Sequence, residues 1–268
     1  KAQSNSYIRF NASAVTDMAN NPINALANGS AVNASSYTAD TTAPALSSWN
    51  LNMNTGVITL NYSETMDAST IVAANFTIQD AATAATSRAL TGGTVSSTDS
   101  TQITITLTAD DLNNIKANSA LATGASNSYL RFARTTEADM AGVAIAAVTN
   151  GNAVLVTTYT ADTTAPSLSG WTLNMNTQKL TLNFNEPVDA STLNVTGITI
   201  QDAQTASTSH TLTDSATSSG DGLSIVIDFS AADLNAIVGN SLSAVDQATS
   251  WLTLTLVTID DMAGNSVT

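Results

Sequence analysis

A repeat of 122 residues constrains this chain more than any other feature. Asp40-Thr41-Thr42-Ala43-Pro44 returns as Asp162-Thr163-Thr164-Ala165-Pro166, 122 residues on. Trp49-Asn50-Leu51-Asn52-Met53-Asn54-Thr55 returns at the same spacing as Trp171-Thr172-Leu173-Asn174-Met175-Asn176-Thr177. Asp17-Met18-Ala19 recurs twice, at Asp139-Met140-Ala141 and Asp261-Met262-Ala263. A solenoid repeats every ~20–50 residues, so a period of this length means domain-sized units in series. Chains built this way need reach, stiffness or many weak contacts more than a single reaction centre. The register lays residues 1–24 over 123–146 and 245–268. The expected domains are therefore 1–39, the closing part of a preceding repeat; 40–161, a full repeat; and 162–268, a repeat truncated at its C-terminal end. In a sharper version, residues 1–39 are donated strands that complete the last repeat, in a neighbouring chain if need be.

Within one repeat the apolar residues alternate. Trp49, Leu51 and Met53 interleave with polar residues, Asn54-Thr55-Gly56 turns the chain, and Ile58, Leu60 and Tyr62 share one face of a second strand. Lys179-Leu180-Thr181-Leu182-Asn183-Phe184 repeats the pattern. Further strands are expected around Phe76 and Ile78, Ile103 to Leu107, Leu130 and Phe132, and Val154 and Val156. Thr108 to Ile115 and Ser230 to Ile237 each read as a short helix, with a hydroxyl cap and an acidic first turn. About seven short strands and one helical turn per repeat point to an all-β fold, a tandem immunoglobulin-like β-sandwich. The linker holds Pro44 or Pro166 and no Gly or Ser run, so neighbouring units should be held close.

Only 10% of residues are charged and the net charge is −14. That balance argues against nucleic acid and anionic lipid as partners and favours cations. There is no cysteine, hence no disulfide and no thiolate metal site. No 18-residue apolar stretch is present to span a membrane. Six Asn-X-Ser/Thr sequons, at Asn11, Asn28, Asn33, Asn61, Asn75 and Asn194, read as chance in so Asn- and Thr-rich a chain.

The acids recur between repeats and the bases mostly do not. Asp17, Asp139 and Asp261 share one repeat position; Asp40 and Asp162, Glu64 and Glu186, and Asp67 and Asp189 share others. Lys116, by contrast, faces Val238, Lys179 faces Val57, and Arg88 faces His210. Carboxylates kept without basic partners suit a hard divalent cation such as Ca²⁺, which takes six to eight oxygens. The candidate metal ligands are Asp17, Asp40, Glu64, Asp67, Asp139, Asp162, Glu186, Asp189 and Asp261. The bland account is caps and Asx-turns. It fits Asp111 and Asp233, each in a helical first turn, and Asp99 and Asp221 at a hairpin tip.

Asp-Thr-Thr-Ala-Pro, Asp-Met-Ala-Gly-Asn at 261–265 and Asn-Glu-Pro-Val-Asp at 185–189 together resemble the bacterial Ig-like repeats of giant adhesins and the Ig-like domains of S-layer proteins. The resemblance implies a β-sandwich array at a cell surface, with Ca²⁺ near the junctions at Asp40, Asp162, Asp17, Asp139 and Asp261. Only the third copy of the Asp-Met-Ala motif is complete, since the others read Asp17-Met18-Ala19-Asn20-Asn21 and Asp139-Met140-Ala141-Gly142-Val143.

No catalytic signature is present. His210 is the sole histidine, its counterpart is Arg88, and it reads as a surface residue. Glu64 with Asp67, three residues apart at a strand end, reads as ligands or turn residues rather than a glycosidase pair. Trp49 and Trp171 read as core anchors and Trp251 as packed. The expected function is an extracellular structural or adhesive array, the stalk or fibre of a large cell-surface protein, with Ca²⁺ at its junctions and itself as partner. The alternatives are a filament or surface-layer subunit joined by inter-chain strand complementation, and a carbohydrate-binding module for cell-surface glycans.

Overall fold

The computed structural model describes residues 1–133, 137–239 and 244–268. Alternation does what the pattern requires. In β3 (Leu46–Asn52) and β4 (Val57–Met66), Trp49, Leu51, Ile58, Leu60 and Tyr62 are buried while the residues between them are partly exposed. The turn joining them closes on Gly56, whose φ of 65° is open to glycine at little cost. Two short N-terminal strands, β1 (Tyr7–Ile8) and β2 (Val32–Asn33), precede this hairpin. After it come β5 (Phe76–Gln79), β6 (Ser87–Ala89), β7 (Thr94–Val95), β8 (Ser100–Thr106), helix α1 (Ala109–Lys116), β9 (Tyr129–Phe132), β10 (Val154–Leu155) and β11 (Thr158–Thr160).

These strands form a five-stranded sheet in the order β11-β3-β4-β8-β7 and a four-stranded sheet in the order β10-β9-β5-β6. Every pairing is antiparallel except β11 on β3. A continuous apolar cluster takes Trp49, Leu51, Ile58, Leu60, Ile103 and Ile105 from one sheet and Phe76, Ile78, Leu130 and Phe132 from the other. The rings of Phe76 and Phe132 lie 5.4 Å apart at the centre of this packing. Burial of so many whole side chains, at about 1.5–3 kcal/mol each, is what offsets the chain's ordering entropy.

The same elements return 122 residues later. They are β12 (Leu168–Asn174), β13 (Lys179–Val188), β14 (Ile198–Gln201), β15 (Ser209–Thr211), β16 (Ala216–Thr217), β17 (Gly222–Asp228), helix α2 (Ala231–Gly239) and β18 (Trp251–Leu254). Their sheets run β12-β13-β17-β16 and β15-β14-β18. Even the register carries over: Leu180 pairs with Ile227 as Ile58 pairs with Ile105. Two strands do not return. Among the described residues, nothing lies on β12 as β11 lies on β3, or on β18 as β10 lies on β9. Residues 1–39 carry the counterpart pairing in isolation: Ile8 opposes Val32 as Leu130 opposes Val154, but Tyr7, Ile8 and Val32 are exposed.

The two helices each pin one sheet edge. Thr108 caps α1 by accepting from the Asp111 amide at 3.0 Å, and Ser230 accepts from the Asp233 amide at 3.0 Å. Lys116 ends α1, where a cation suits the helix dipole. No helix among the described residues is long and apolar enough to cross a membrane.

Candidate functional site

Six of the nine candidate ligands come together in two equivalent clusters. Asp40, Glu64 and Asp139 each place one carboxylate oxygen within 4.8 Å of the others, and so do Asp162, Glu186 and Asp261. Each cluster has the same three sources. The linker supplies Asp40 or Asp162. The far end of the long strand supplies Glu64 from β4 or Glu186 from β13. The Asp-Met-Ala loop supplies Asp139 or Asp261, hydrogen-bonded back to that strand end by isolated bridges from Asp139 to Met66 and from Asp261 to Val188. The loop aspartate folds its own turn: Asp261 Oδ1 accepts from the amides of Ala263 and Asn265, both at 2.8 Å. Asp139 Oδ1 does the same with Ala141 at 2.6 Å and Val143 at 2.9 Å.

The remaining three candidates stand apart. Asp17 is exposed and closes its turn with Ala19 and Asn21. Its carboxyl is held below the usual value, chiefly by the Asn21 side chain and then by the backbone amides. Asp67 and Asp189 cap the short turns after β4 and β13, accepting from the amides and hydroxyls of Ser69 and Ser191. Asp99 and Asp221, expected at hairpin tips, accept from the amides of Ala68 and Ala190 at 3.0 Å and fasten those same turns.

The two clusters differ in one decisive respect. In the second, Lys116 reaches across from the end of α1 and sets its Nζ 2.6 Å from both Asp162 Oδ2 and Glu186 Oε2. All three side chains are nearly buried, at 10% exposure for Lys116 and 6% for each acid. Burial opposes the ammonium charge, but the bonds to Asp162 and Glu186 outweigh it, so Lys116 titrates above its ordinary value. Burial, joined by the Asp162 charge, raises Glu186 above its ordinary value despite the lysine. Lys116 looked in the sequence like a drifting base, because its counterpart is Val238. It is in fact the cation that the acids lacked. Spacing hides this, since the partners lie in different repeats.

One further set of contacts, from Asn54, crosses the same junction, and others brace its two sides. Asn54, in the β3–β4 turn, accepts from the Thr163 amide at 3.1 Å and the Thr164 hydroxyl at 2.6 Å. Tyr159 donates its hydroxyl to the Ala122 carbonyl at 2.8 Å. Asn265 donates through Nδ2 to Asp261 Oδ2 at 2.8 Å and to the Asp162 carbonyl at 3.3 Å. A cleft of about 240 Å³ lies here between Met53, Tyr159, Lys116, Glu186 and Met262.

The first cluster has no such filling. Among the described residues, no Lys, Arg or His forms an ion pair with it. Asp139 is 3% exposed, and among the described residues its Oδ2 has no hydrogen-bond donor. Its counterpart Asp261 Oδ2 is satisfied by Asn265, but Val143 stands at that position in the first copy. Desolvation, followed by the charges of Asp139 and Asp40, pushes the part-exposed Glu64 carboxyl up.

A second acidic device explains the other recurring aspartates. Asp111 and Asp233 sit in helical first turns as expected, and they do more than stabilise those turns. Both are fully buried and bind the helix to the adjacent sheet edge. Asp111 accepts from Arg88 and from the Thr91 amide and hydroxyl. Asp233 accepts from His210 Nε2 at 2.8 Å, from Thr213 and Ser215 by both amide and hydroxyl, and from the Asp214 amide. Burial works against both charges. The hydrogen bonds overcome it and hold both carboxyls below the usual range. His210 is therefore no free surface residue: at the position of Arg88 it performs the same bracing.

The tryptophans separate. Trp49 is fully buried and donates to the Val154 carbonyl at 2.8 Å. Trp171 is half-buried and Trp251, expected to be packed, is 42% exposed. Both line a groove of about 720 Å³ with Leu173, Met175 and Leu252. They are open because no counterpart of β10 and β11 covers them among the described residues. The chain matches none of the protein-family models, curated proteins or solved structures with which it was compared.

Proposed function

We propose that this chain is a segment of an extracellular structural or adhesive array, the stalk or fibre of a large cell-surface protein, built from tandem Ig-like β-sandwich units. The units are 40–161 and 162–268, and residues 1–39 are the closing part of a preceding unit. The reading is non-enzymatic. The observation that carries it is the Lys116 ammonium seated between Asp162 and Glu186. A lysine buried across a junction serves no purpose inside either unit, but it fixes the angle between them. Losing one partner of a buried ion pair costs about 3–5 kcal/mol, so bending the joint is opposed by a similar amount. Joints of this strength convert a string of units into a stiff spacer. The low charge and the wealth of Thr, Ser and Asn suit surfaces that lie against copies of themselves.

The chain has no native cysteine, so spin labels can be placed uniquely at cysteines replacing the exposed Ser97 and Ser218. The distance distribution between them should be narrow, and should broaden in Lys116→Ala. An unchanged width in the variant would sink the reading of the joint as a rigid lock.

The groove beside Trp171 and Trp251 favours a second reading, strand complementation. Its place is the one that β10 and β11 fill in the first unit. A strand of the Val154–Thr160 type would complete it. Val32, Tyr37 and Thr38 occupy the positions of Val154, Tyr159 and Thr160. Such a strand could belong to a following repeat or to another copy, and the groove would select the same chemistry in either case.

A further inference from the structure

We propose that the joint closes covalently: Lys116 Nζ condenses with the Asp162 side chain to form an isopeptide amide, and Glu186 carries the protons. The inference rests on reading the Lys116 contact as the lock between the two units.

The constellation has the parts that amide formation needs. Nucleophile and electrophile come from different elements, the last residue of α1 and the linker, and meet with Nζ 2.6 Å from Asp162 Oδ2. The opposite oxygen, Asp162 Oδ1, accepts from the Thr164 amide at 3.1 Å. That amide stands where negative charge gathers once Nζ adds to Cγ, which is the place of an oxyanion donor. Glu186 Oε2 lies 2.6 Å from the same nitrogen, within reach to take and return protons. The pocket is dry. All three side chains are nearly buried, and Met53, Ile115, Leu121 and Pro187, themselves buried, wall it.

The atoms balance without a further reactant. Burial works against the Lys116 charge, and the bonds to Asp162 and Glu186 keep it as the resting ammonium. Moving one proton across the 2.6 Å contact to Asp162 Oδ2 leaves a neutral amine beside a neutral acid. The Nζ lone pair then adds to Cγ, and the carbonyl electron pair moves onto Oδ1, facing the Thr164 amide. Protonated Glu186 gives its proton to the Oδ2 hydroxyl, which leaves as water when the carbonyl re-forms. Glu186 then takes a proton back from Nζ and ends as it began. Burial, which raises the Glu186 carboxyl, favours that protonated form. One Nζ–Cγ bond forms, one Cγ–Oδ2 bond breaks, and nothing is oxidised or reduced.

Two physical effects favour the product. Groups held in contact react at effective molarities of about 10⁵–10⁸ M, so folding supplies what a bimolecular condensation lacks. A buried ion pair also carries a desolvation cost that a neutral amide sheds.

The chain contains its own controls. Among the described residues no Lys pairs with Asp40, Glu64 or Asp139, and α2 carries Val238 where α1 carries Lys116. Lys179 meets Asp228, but both are nearly half exposed, so water competes there. One bond per chain is therefore expected. It ties the end of α1 to the linker, so a pull along the array bypasses residues 117–161.

The test is the mass of the whole chain, measured under denaturing conditions after prolonged incubation in the folded state. Wild type should be one water lighter than its sequence mass. Tandem mass spectrometry of a digest should show a branched peptide joining Lys116 to Asp162. Lys116→Arg keeps the positive charge without a free amine, and it should retain the full sequence mass, as should Glu186→Gln. Wild type at its full sequence mass would overturn the inference. So would a water loss that persists in Lys116→Arg, a branch at Glu186 in place of Asp162, or Glu186→Gln reacting as wild type does. The spin-label width judges the lock separately. A width that broadens in Lys116→Ala, with wild type at full mass, would leave an ionic lock and remove the bond; an unchanged width with the branched peptide present would do the reverse.

Discussion

The buried Asp233 carboxylate gives the most quantitative handle on why these short-stranded sheets hold their helix. Asp233→Asn keeps the shape, removes the charge and replaces one acceptor oxygen by a donor amide. In the native site six donors converge on the two oxygens: His210 Nε2, the Thr213 amide and hydroxyl, the Asp214 amide, and the Ser215 amide and hydroxyl. The new NH₂ must face at least one of them. A hydrogen bond to a charged acceptor contributes about 1.5–3 kcal/mol net, and a buried donor left facing another donor costs about 1–3 kcal/mol. The expected loss is therefore about 3–5 kcal/mol. For a unit of about 100 residues that lowers the melting temperature by about 12 °C or more. Differential scanning calorimetry at pH 7 should show one unit's transition shifted and the other's in place. The sign with pH follows from the depressed carboxyl. A group whose folded-state value lies below its unfolded value stabilises above the unfolded value, about 3.8, and that contribution fades as pH falls further. The gap between wild type and Asp233→Asn should thus be full at neutral pH and shrink below about pH 3.8. A shift under about 3 °C at pH 7, or a gap that widens on acidification, would refute the assignment of Asp233 as the pin.

Two further outcomes follow from the comparison of the copies. Val143→Asn should give the Asp139 Oδ2 the donor that Asn265 supplies to Asp261, raising stability by about 1 kcal/mol in urea unfolding; a destabilised variant would contradict it. A peptide of residues 25–39 should shift the fluorescence of Trp171 and Trp251 as it enters their groove. No spectral change up to millimolar peptide, together with a glycan-array signal lost in Trp251→Ala, would favour the carbohydrate-binding alternative instead.

Much of the architecture was legible because it is written in period-two burial. Trp49, Leu51, Ile58 and Leu60 alternate in the sequence and are buried in the structure, and the 122-residue register predicts the second set of strands to the residue. The clusters were legible in part. Recurrence selected Asp40, Glu64 and Asp139 with their counterparts, but it selected Asp17, Asp67 and Asp189 equally, since a cap and a ligand are both carboxylates at turns. What separates them is tertiary: the Asp-Met-Ala loop bridges back to Met66 or Val188, and only then does the third acid arrive. The exposure of Trp251 was not legible, because alternation reports which face a residue shares and not whether another strand covers that face.

The bases illustrate a subtler limit. Comparing copies position by position, Arg88 against His210 and Lys116 against Val238 both look like loss of a base under drift. Physically they are opposite cases. Arg88 and His210 reach the same buried aspartate, so the contact persists while the residue type changes. Lys116 serves a cluster in the other repeat, so its conservation within its own repeat position is irrelevant to the acids it pairs with. A base acting across a joint is constrained by the next unit's carboxylates, and a base acting within a unit by its own. Acids that recur without local partners therefore do not by themselves call for a metal. Some, such as Asp67 and Asp189, are turn caps; others, such as Asp162 and Glu186, find their positive partner in the lysine that ends the helix of the preceding repeat.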